Sequence, residues 1–162
     1  MRAYTLCLVK PSDPYLRVAK ECTAAKLRRA SRAVSNAFDD RLAPAGIRST
    51  QFGLLVAVRL AGEMSLTALA SRLALDRTTL TRNLKPLLRE KLLRRAPSQD
   101  RRVRLLALTA AGERVMALAL PLWEEAQQSV VEGLGPTHWN RLVEELAAVE
   151  AVSPSGAATS EV

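Results

Sequence analysis

Apolar residues recur at steps of three and four along most of the chain, and this spacing predicts a mostly helical protein. Over residues 15–42 the apolar positions form one continuous stripe, which predicts a single long helix. Pro44 and Gly46 should end this helix, because proline lacks an amide donor and glycine tolerates a left-handed turn. A second apolar helix follows, with Ser49 or Thr50 as its cap.

The segment from residue 65 to residue 90 predicts a helix-turn-helix. Ser65 can cap a short helix over residues 66–73, and Asp76 can cap a second helix over residues 77–90. The second helix has an apolar side made of leucines and a polar side made of threonines and basic residues. The apolar side contains Leu80, Leu84, Leu87 and Leu88, and the polar side contains Thr78, Thr81, Arg82, Lys85 and Arg89.

Beyond the helix-turn-helix, the pattern predicts a β-hairpin, two helices and a tail. The hairpin consists of two short apolar segments around a polar turn. Thr109 starts the first of the two helices, and Pro121 should bend it. The tail has too few large apolar groups to pack, so we expect it to be disordered. The predicted bounds are residues 92–96 and 102–108 for the hairpin strands, about 109–133 and 137–149 for the helices, and 152–162 for the tail.

Positive charge is concentrated in one quarter of the chain. Residues 65–104 hold eleven Lys or Arg against three acids, so this segment carries the whole net charge of +8. A run of charge is often only a solvated face. The other 122 residues hold equal numbers of basic and acidic residues, however, and such a concentrated excess favours binding to a polyanion.

Several classes of protein lack support in the sequence. No apolar run reaches the roughly 18 residues that a membrane span needs, and the first fourteen residues do not resemble a secretory signal. Two cysteines, Cys7 and Cys22, and the single His138 form neither a disulfide framework nor a zinc signature. No paired catalytic groups or glycine-rich phosphate loop are present. We therefore expect a cytoplasmic protein that is not an enzyme and has no metal, cofactor or membrane partner.

The polar side of the second helix in the helix-turn-helix has the chemistry to read DNA. Arginine and lysine can bond guanine O6 and N7 in the major groove, so Arg82 and Lys85 are the main candidates. Threonine hydroxyls reach phosphates or bases, which adds Thr78, Thr79 and Thr81. The first amides of the helix lack intrahelical partners, and together with Arg77 they would bind a phosphate.

Specific motifs in this order of elements resemble the MarR family of regulators. Asp100-Arg101-Arg102, with an Asp-x-Arg placed six residues before Leu108-Thr109-Ala110-Ala111-Gly112, resembles the wing signature of that family. Residues 65–73 (SLTALASRL) and 76–84 (DRTTLTRNL) are similar to its two helix-turn-helix segments. The resemblance covers about residues 27–148. It implies a mostly α fold, with a winged helix-turn-helix lobe, a small β-hairpin wing, and N- and C-terminal helices that form a dimerisation lobe.

The resemblance also implies a role for the wing and a pair of subunits. Arg102 at the wing tip would enter the minor groove beside Arg101, with Asp100 holding the guanidinium in place. Two subunits would bind a pseudo-palindromic double-stranded operator about one helical turn apart. The dimer residues would include Leu118, Leu122, Trp123, Val130, Trp139 and Leu146, although these could equally be core within one chain.

The resemblance further implies a repressor that is released by a small aromatic or phenolic effector or by oxidation. Cys22 is the redox candidate, and a buried inert thiol is the alternative. A winged-helix protein-interaction module without DNA binding remains the rival function. The expected organisation is an N-terminal segment (1–14), a MarR-type domain (15–151) with a DNA-binding lobe (48–109) and dimerisation helices (15–42 and 110–150), and the tail (152–162).

Two residues depart from the pattern of the family. Lys91 stands where the family usually has glycine, so it must adopt a left-handed backbone or the helix must end differently. Pro86 lies inside the second helix of the helix-turn-helix, which is the predicted recognition helix. It removes one amide donor, which should bend this helix after Arg82. Both residues bear on the angle at which the helix enters a groove.

Overall fold

A computed structural model describes residues 13–97 and 105–152 as seven α-helices, one 3-10 helix (Ala43–Ala45) and three short strands. The strands form one antiparallel sheet in the order β1-β3-β2. The described chain divides into two compact units, residues 13–36 and the residues from 37 to 152. The helices are α1 (Pro14–Glu21), α2 (Thr23–Leu42), α3 (Ser49–Ala61), α4 (Leu66–Arg72), α5 (Arg77–Arg89), α6 (Ala110–Leu134) and α7 (Pro136–Val152), and the strands are β1 (Glu63–Ser65), β2 (Leu93–Ala96) and β3 (Leu105–Leu108).

The prediction of one helix over residues 15–42 is wrong, because Cys22 separates α1 from α2. Cys22 has an extended backbone with ψ of 107°. Its amide donates to the Val18 carbonyl over 3.1 Å, and its carbonyl accepts from the Lys26 amide over 3.1 Å. The break therefore loses few backbone hydrogen bonds. The apolar spacing continues through Cys22, so the sequence pattern does not reveal the break.

The prediction of Ser49 or Thr50 as the cap of α3 is also wrong. The N-cap is Arg48, whose backbone amide donates to Gln51 Oε1 over 2.8 Å. Ser49 lies inside the helix, where its amide and hydroxyl both donate to Asp39 Oδ1, over 2.7 Å and 2.6 Å. Asp39 lies in α2, so a carboxylate ten residues away satisfies the start of α3.

The helix-turn-helix forms as predicted. The Ser65 hydroxyl accepts from the Ala68 amide over 3.1 Å at the start of α4, and Asp76 caps α5. The leucines on one side of α5, Leu80, Leu84 and Leu87, are buried in the core. Leucines of α3 and Leu93 and Leu106 of the sheet belong to the same core, so packing fixes which side of α5 faces outward.

Helices α4 and α5 end in the same hydrogen-bond motif, each with a left-handed residue that is not glycine. After α4, Ala74 has φ of 48°, and the Leu75 amide donates to the Ala70 carbonyl over 3.0 Å. After α5, Lys91 has φ of 58°, and the Leu92 amide donates to the Leu87 carbonyl over 2.9 Å. Both are Schellman motifs, in which glycine is the usual left-handed residue. The recognition helix is thus bracketed by two strained turns.

Pro86 does not end the recognition helix, since α5 continues through it to Arg89.

The strand β1 was not predicted from the sequence, because it has only three residues and no alternating pattern of its own. It pairs with β3, with Met64 opposite Leu106. Ser65 both ends this strand and caps α4, which joins the sheet directly to the helix-turn-helix.

We expect Lys91→Gly to raise the free energy of unfolding by about 1 kcal/mol, because glycine adopts the left-handed backbone without steric cost. Chemical denaturation of both proteins measures the change. Lys91→Ala is the matched control, since it removes the same side chain and charge but keeps the Cβ atom. An equal gain from both variants would show that the backbone of Lys91 is not the cause.

Candidate nucleic-acid interface

The outward side of α5 carries most of the residues predicted to bind DNA. Arg77, Thr78, Thr81, Arg82 and Lys85 are all exposed. On the opposite side of this helix, Leu80, Leu84 and Leu87 are at most 3% exposed. Because the leucines anchor α5 in the core, the basic side chains have to point towards solvent. The separation into two sides that the sequence predicts is present in the structure.

The start of α5 is held by Asp76. Its Oδ1 accepts from the Thr79 amide over 2.9 Å, and its Oδ2 accepts from the Thr79 hydroxyl over 2.6 Å. Thr79 is half-buried, so both of its local donors serve the cap. The Thr81 hydroxyl donates to the Arg77 carbonyl over 2.7 Å. Among the three threonines, Thr78 is therefore the one whose exposed side chain has no such role in the described part of the chain.

The two hydrogen bonds from Thr79, first from its hydroxyl and then from its amide, lower the pKa of Asp76 from 3.8. A lowered pKa in the folded state means that the carboxylate stabilises the fold above pH 3.8 and loses this contribution as the pH falls below it. We expect wild type to be more stable than Asp76→Ala at pH 7, with a smaller difference at pH 3. Melting temperatures at both pH values test this, and an equal difference at both would contradict it.

The basic residues of α5 are largely free of acidic partners. Within residues 13–97 and 105–152, no carboxylate forms an ion pair with Arg77, Arg82 or Lys85. Arg89, at the end of the helix, pairs with Glu90 over 3.0 Å. Positive charge that is exposed and unpaired attracts a polyanion without first breaking an internal contact.

The predicted wing is present as its two strands, β2 and β3, which pair from Leu93 opposite Leu108 to Ala96 opposite Leu105. Asp100, Arg101 and Arg102 lie outside the described residues. The described part of the wing is therefore the paired strands alone.

The Leu-Thr-x-x-Gly part of the wing signature joins β3, α6 and the end of α5. The Thr109 hydroxyl accepts from the Gly112 amide over 3.0 Å and caps α6. The same hydroxyl lies 2.6 Å from the Lys91 carbonyl, to which it donates. Gly112 has no room for a Cβ atom, which would overlap the Leu92 carbonyl oxygen and Leu108 Cδ1. The motif thus fixes the wing and the recognition helix relative to each other.

The residues predicted for a dimer interface fall into two groups in the single chain. Leu118 is 63% exposed and Leu146 is 40% exposed, while Val130 and Trp139 are half-buried. Leu122 and Trp123 pack against the core, and the Trp123 ring lies 6.5 Å from that of Phe52. Core packing therefore accounts for Leu122 and Trp123, and leaves Leu118 and Leu146 with apolar surface open to solvent.

Other candidate sites are sparse in the part of the chain that the structure describes. Cys22 is a half-buried free cysteine at the break between α1 and α2. No cluster of three potential metal ligands occurs among residues 13–97 and 105–152. None of the described helices combines the length and the apolar character needed to cross a membrane.

Known proteins share this fold and part of this sequence. The family model described as MarR family matches residues 47–103. The transcriptional regulator MosR of M. tuberculosis, solved with DNA, is 35% identical with a TM-score of 0.75, and the match covers 82% of this chain and 96% of that chain. BpsR of Bordetella bronchiseptica, whose structure concerns regulation of DNA binding by 6-hydroxynicotinic acid, is 27% identical, with 81% and 95% covered and a TM-score of 0.73. No curated protein matches with significance.

The similarity to MarR itself supports only the fold of this chain. A cysteine-to-serine variant of MarR from E. coli, solved with operator DNA, is 23% identical to this chain. The match covers 83% of this chain and 97% of that one, with a TM-score of 0.75. At this identity the similarity extends to the arrangement of helices and sheet.

Proposed function

Because this chain belongs to the MarR family of transcription regulators, we propose that it binds double-stranded DNA as a dimer and represses transcription from the site it occupies. The observation that carries the proposal is the outward side of α5, where Arg77, Arg82 and Lys85 are exposed and form no ion pair in the described part of the chain. The leucines behind them are buried, which holds this side of the helix outward. MosR, the 35% identical relative, was solved with DNA.

The recognition helix provides the base contacts. Arg82 and Lys85 are one turn apart on the exposed side and would reach guanine O6 and N7 in the major groove, where each good bidentate contact is worth about 1–3 kcal/mol. Arg77 and Thr78, at the start of the helix, would bind a phosphate. The Thr79 amide already serves Asp76, so the free amides at this end are fewer than the sequence suggests.

The wing extends the contact to the neighbouring groove. Because the chain carries the Asp-x-Arg signature, we assign Arg102, assisted by Arg101, to the minor groove, whose negative potential is largest where it is narrow. Asp100 is repelled by DNA and would orient Arg102. Residues 48–109 would then form the DNA-binding lobe.

A second subunit doubles the length of DNA that is read. One recognition helix contacts too few base pairs for useful specificity, and two-fold dimers solve this with two half-sites about one helical turn apart. Leu118 and Leu146 expose apolar surface on α6 and α7, and Val130 and Trp139 are only half-buried. We assign these four residues to the dimer interface, within dimerisation helices at about residues 15–42 and 110–150.

Release from DNA would follow from binding of a small aromatic or phenolic effector or from oxidation of Cys22. BpsR, 27% identical, is regulated in its DNA binding by 6-hydroxynicotinic acid. An effector acts only through a difference in affinity for the DNA-competent and incompetent states. Cys22 lies between α1 and α2, so oxidation of its thiol would change the side chain at the point where these two helices separate.

Footprinting on the DNA upstream of the gene for this protein tests the proposal. We expect two protected half-sites about one helical turn apart, with protection lost after addition of an aromatic acid or peroxide. Cys22→Ser separates the two signals, because only the response to peroxide should disappear. Failure to bind any duplex at low salt would reject DNA binding and favour a protein-interaction module.

A further inference from the structure

Strand β2 exposes two consecutive arginines between two buried residues. Leu93 and Ala96 are buried, whereas Arg94 and Arg95 are exposed. Neighbouring side chains of a strand point to opposite faces of its sheet. One arginine must therefore lie on the face that packs against the helices, and the other on the face that points away.

The register of the sheet shows which arginine is on which face. Arg95 is directly opposite Leu106, which is opposite Met64 on the far strand, so these three side chains share a face. Leu106 is 2% exposed and belongs to the core that contains Leu80, Leu84 and Leu87 of α5. Arg94 is opposite Ala107, which is opposite Glu63, on the other face.

Arg95 is thus on the same face of the sheet as Leu106, whose core includes leucines of α5, yet it remains exposed. β2 is an edge strand that directly follows α5, so a long side chain on this face can reach solvent beside the core. Within residues 13–97 and 105–152 no acid forms an ion pair with Arg95. Arg95 therefore presents an exposed positive charge on the same face of the sheet as the core that includes α5, with no acidic partner among those residues.

We propose that Arg95 binds the phosphate backbone of the duplex between the groove that α5 enters and the groove that the wing enters. The strand of phosphates that separates two grooves must pass between a helix in one and a hairpin in the other, and β2, which carries Arg95, leads from the end of α5 into the hairpin. Arg94 lies on the opposite face, in a row with Glu63. We therefore expect it to make no contact with this DNA strand. The inference rests on the proposed DNA binding.

Arg95→Ala and Arg94→Ala form a matched pair, since each removes one arginine from adjacent positions of the same strand. The measurement is the affinity for the footprinted operator, and for a shuffled duplex of equal composition, over a range of salt concentrations. For Arg95→Ala we expect the slope of log affinity against log salt to decrease in magnitude by about 0.9. Because phosphate contacts are independent of sequence, both duplexes should lose affinity by a similar factor. For Arg94→Ala we expect the wild-type slope.

The outcomes separate this inference from the proposed function. Equal slopes for the two variants, or a loss confined to the operator, would overturn the role of Arg95 while leaving DNA binding intact. A wild-type protein that binds neither duplex would overturn both. Arg95→Gln, which keeps much of the side chain without its charge, should reproduce the slope of Arg95→Ala. A wild-type slope for Arg95→Gln would also reject the phosphate contact.

Discussion

Replacing Arg82 and Lys85 together by alanine should weaken binding to the footprinted operator by about 30-fold or more. Each good base contact is worth about 1–3 kcal/mol, and a factor of ten corresponds to about 1.4 kcal/mol. Both side chains are exposed on α5, whose other side is held by buried leucines, so the substitutions should leave the fold intact. Fluorescence anisotropy with labelled operator DNA measures the change.

The control for this prediction removes two positive charges elsewhere. Lys20 and Arg114 are exposed and lie outside the basic segment 65–104, so their double substitution by alanine removes the same amount of positive charge away from the proposed DNA-binding lobe. Binding to a shuffled duplex should fall less than binding to the operator when Arg82 and Lys85 are lost, because base contacts are specific to sequence. An equal loss of affinity in both double variants would assign binding to bulk charge.

Gly112→Ala should lower the free energy of unfolding by about 1–3 kcal/mol, the usual cost of overpacking. An added Cβ atom would lie 2.6 Å from Leu108 Cδ1 and would also overlap the Leu92 carbonyl oxygen. The carbonyl belongs to the backbone between α5 and β2, so it cannot move without shifting the end of the recognition helix. We therefore expect weaker DNA binding as well as a lower melting temperature.

Gly133 provides the control for Gly112 in the same helix. A Cβ atom at Gly133 would meet nothing within 4 Å. Alanine is the better helix former, so Gly133→Ala should raise the free energy of unfolding by up to about 1 kcal/mol. Stability changes of opposite sign at the two glycines would identify close packing as the reason for glycine at position 112. A stable Gly112→Ala variant would contradict this role of the Leu-Thr-x-x-Gly motif.

The parts of the fold that local chemistry determines were predictable from sequence. Ser65, Asp76 and Thr109 each cap a helix by accepting from the amide three residues further on, a contact that the order of residues alone specifies. The break at Cys22 and the role of Arg48 were not predictable in this way. The start of α3 depends on Asp39, ten residues earlier in sequence, and such a contact exists only after the chain folds.

The sequence likewise predicted those features of the candidate site that depend on local order, and missed those that depend on contacts made after folding. Periodicity separated the two sides of α5, because a helix places residues by number alone. It gave no means to see that the Thr79 donors serve Asp76, or that the register of the sheet turns Arg95 and Arg94 to opposite faces. Apolar spacing on α6 likewise does not distinguish Leu122, which packs on the core, from Leu118, which is exposed.

Methylation interference at guanine N7 tests the central claim most directly, because N7 lies in the major groove where Arg82 and Lys85 are expected to bind. In operator DNA methylated once per molecule, the bound fraction of wild type should be depleted of methylated guanines within each half-site. The Arg82→Ala protein should lose this interference at one guanine per half-site. Binding by wild type that tolerates methylation at every guanine of the site would contradict major-groove recognition by α5.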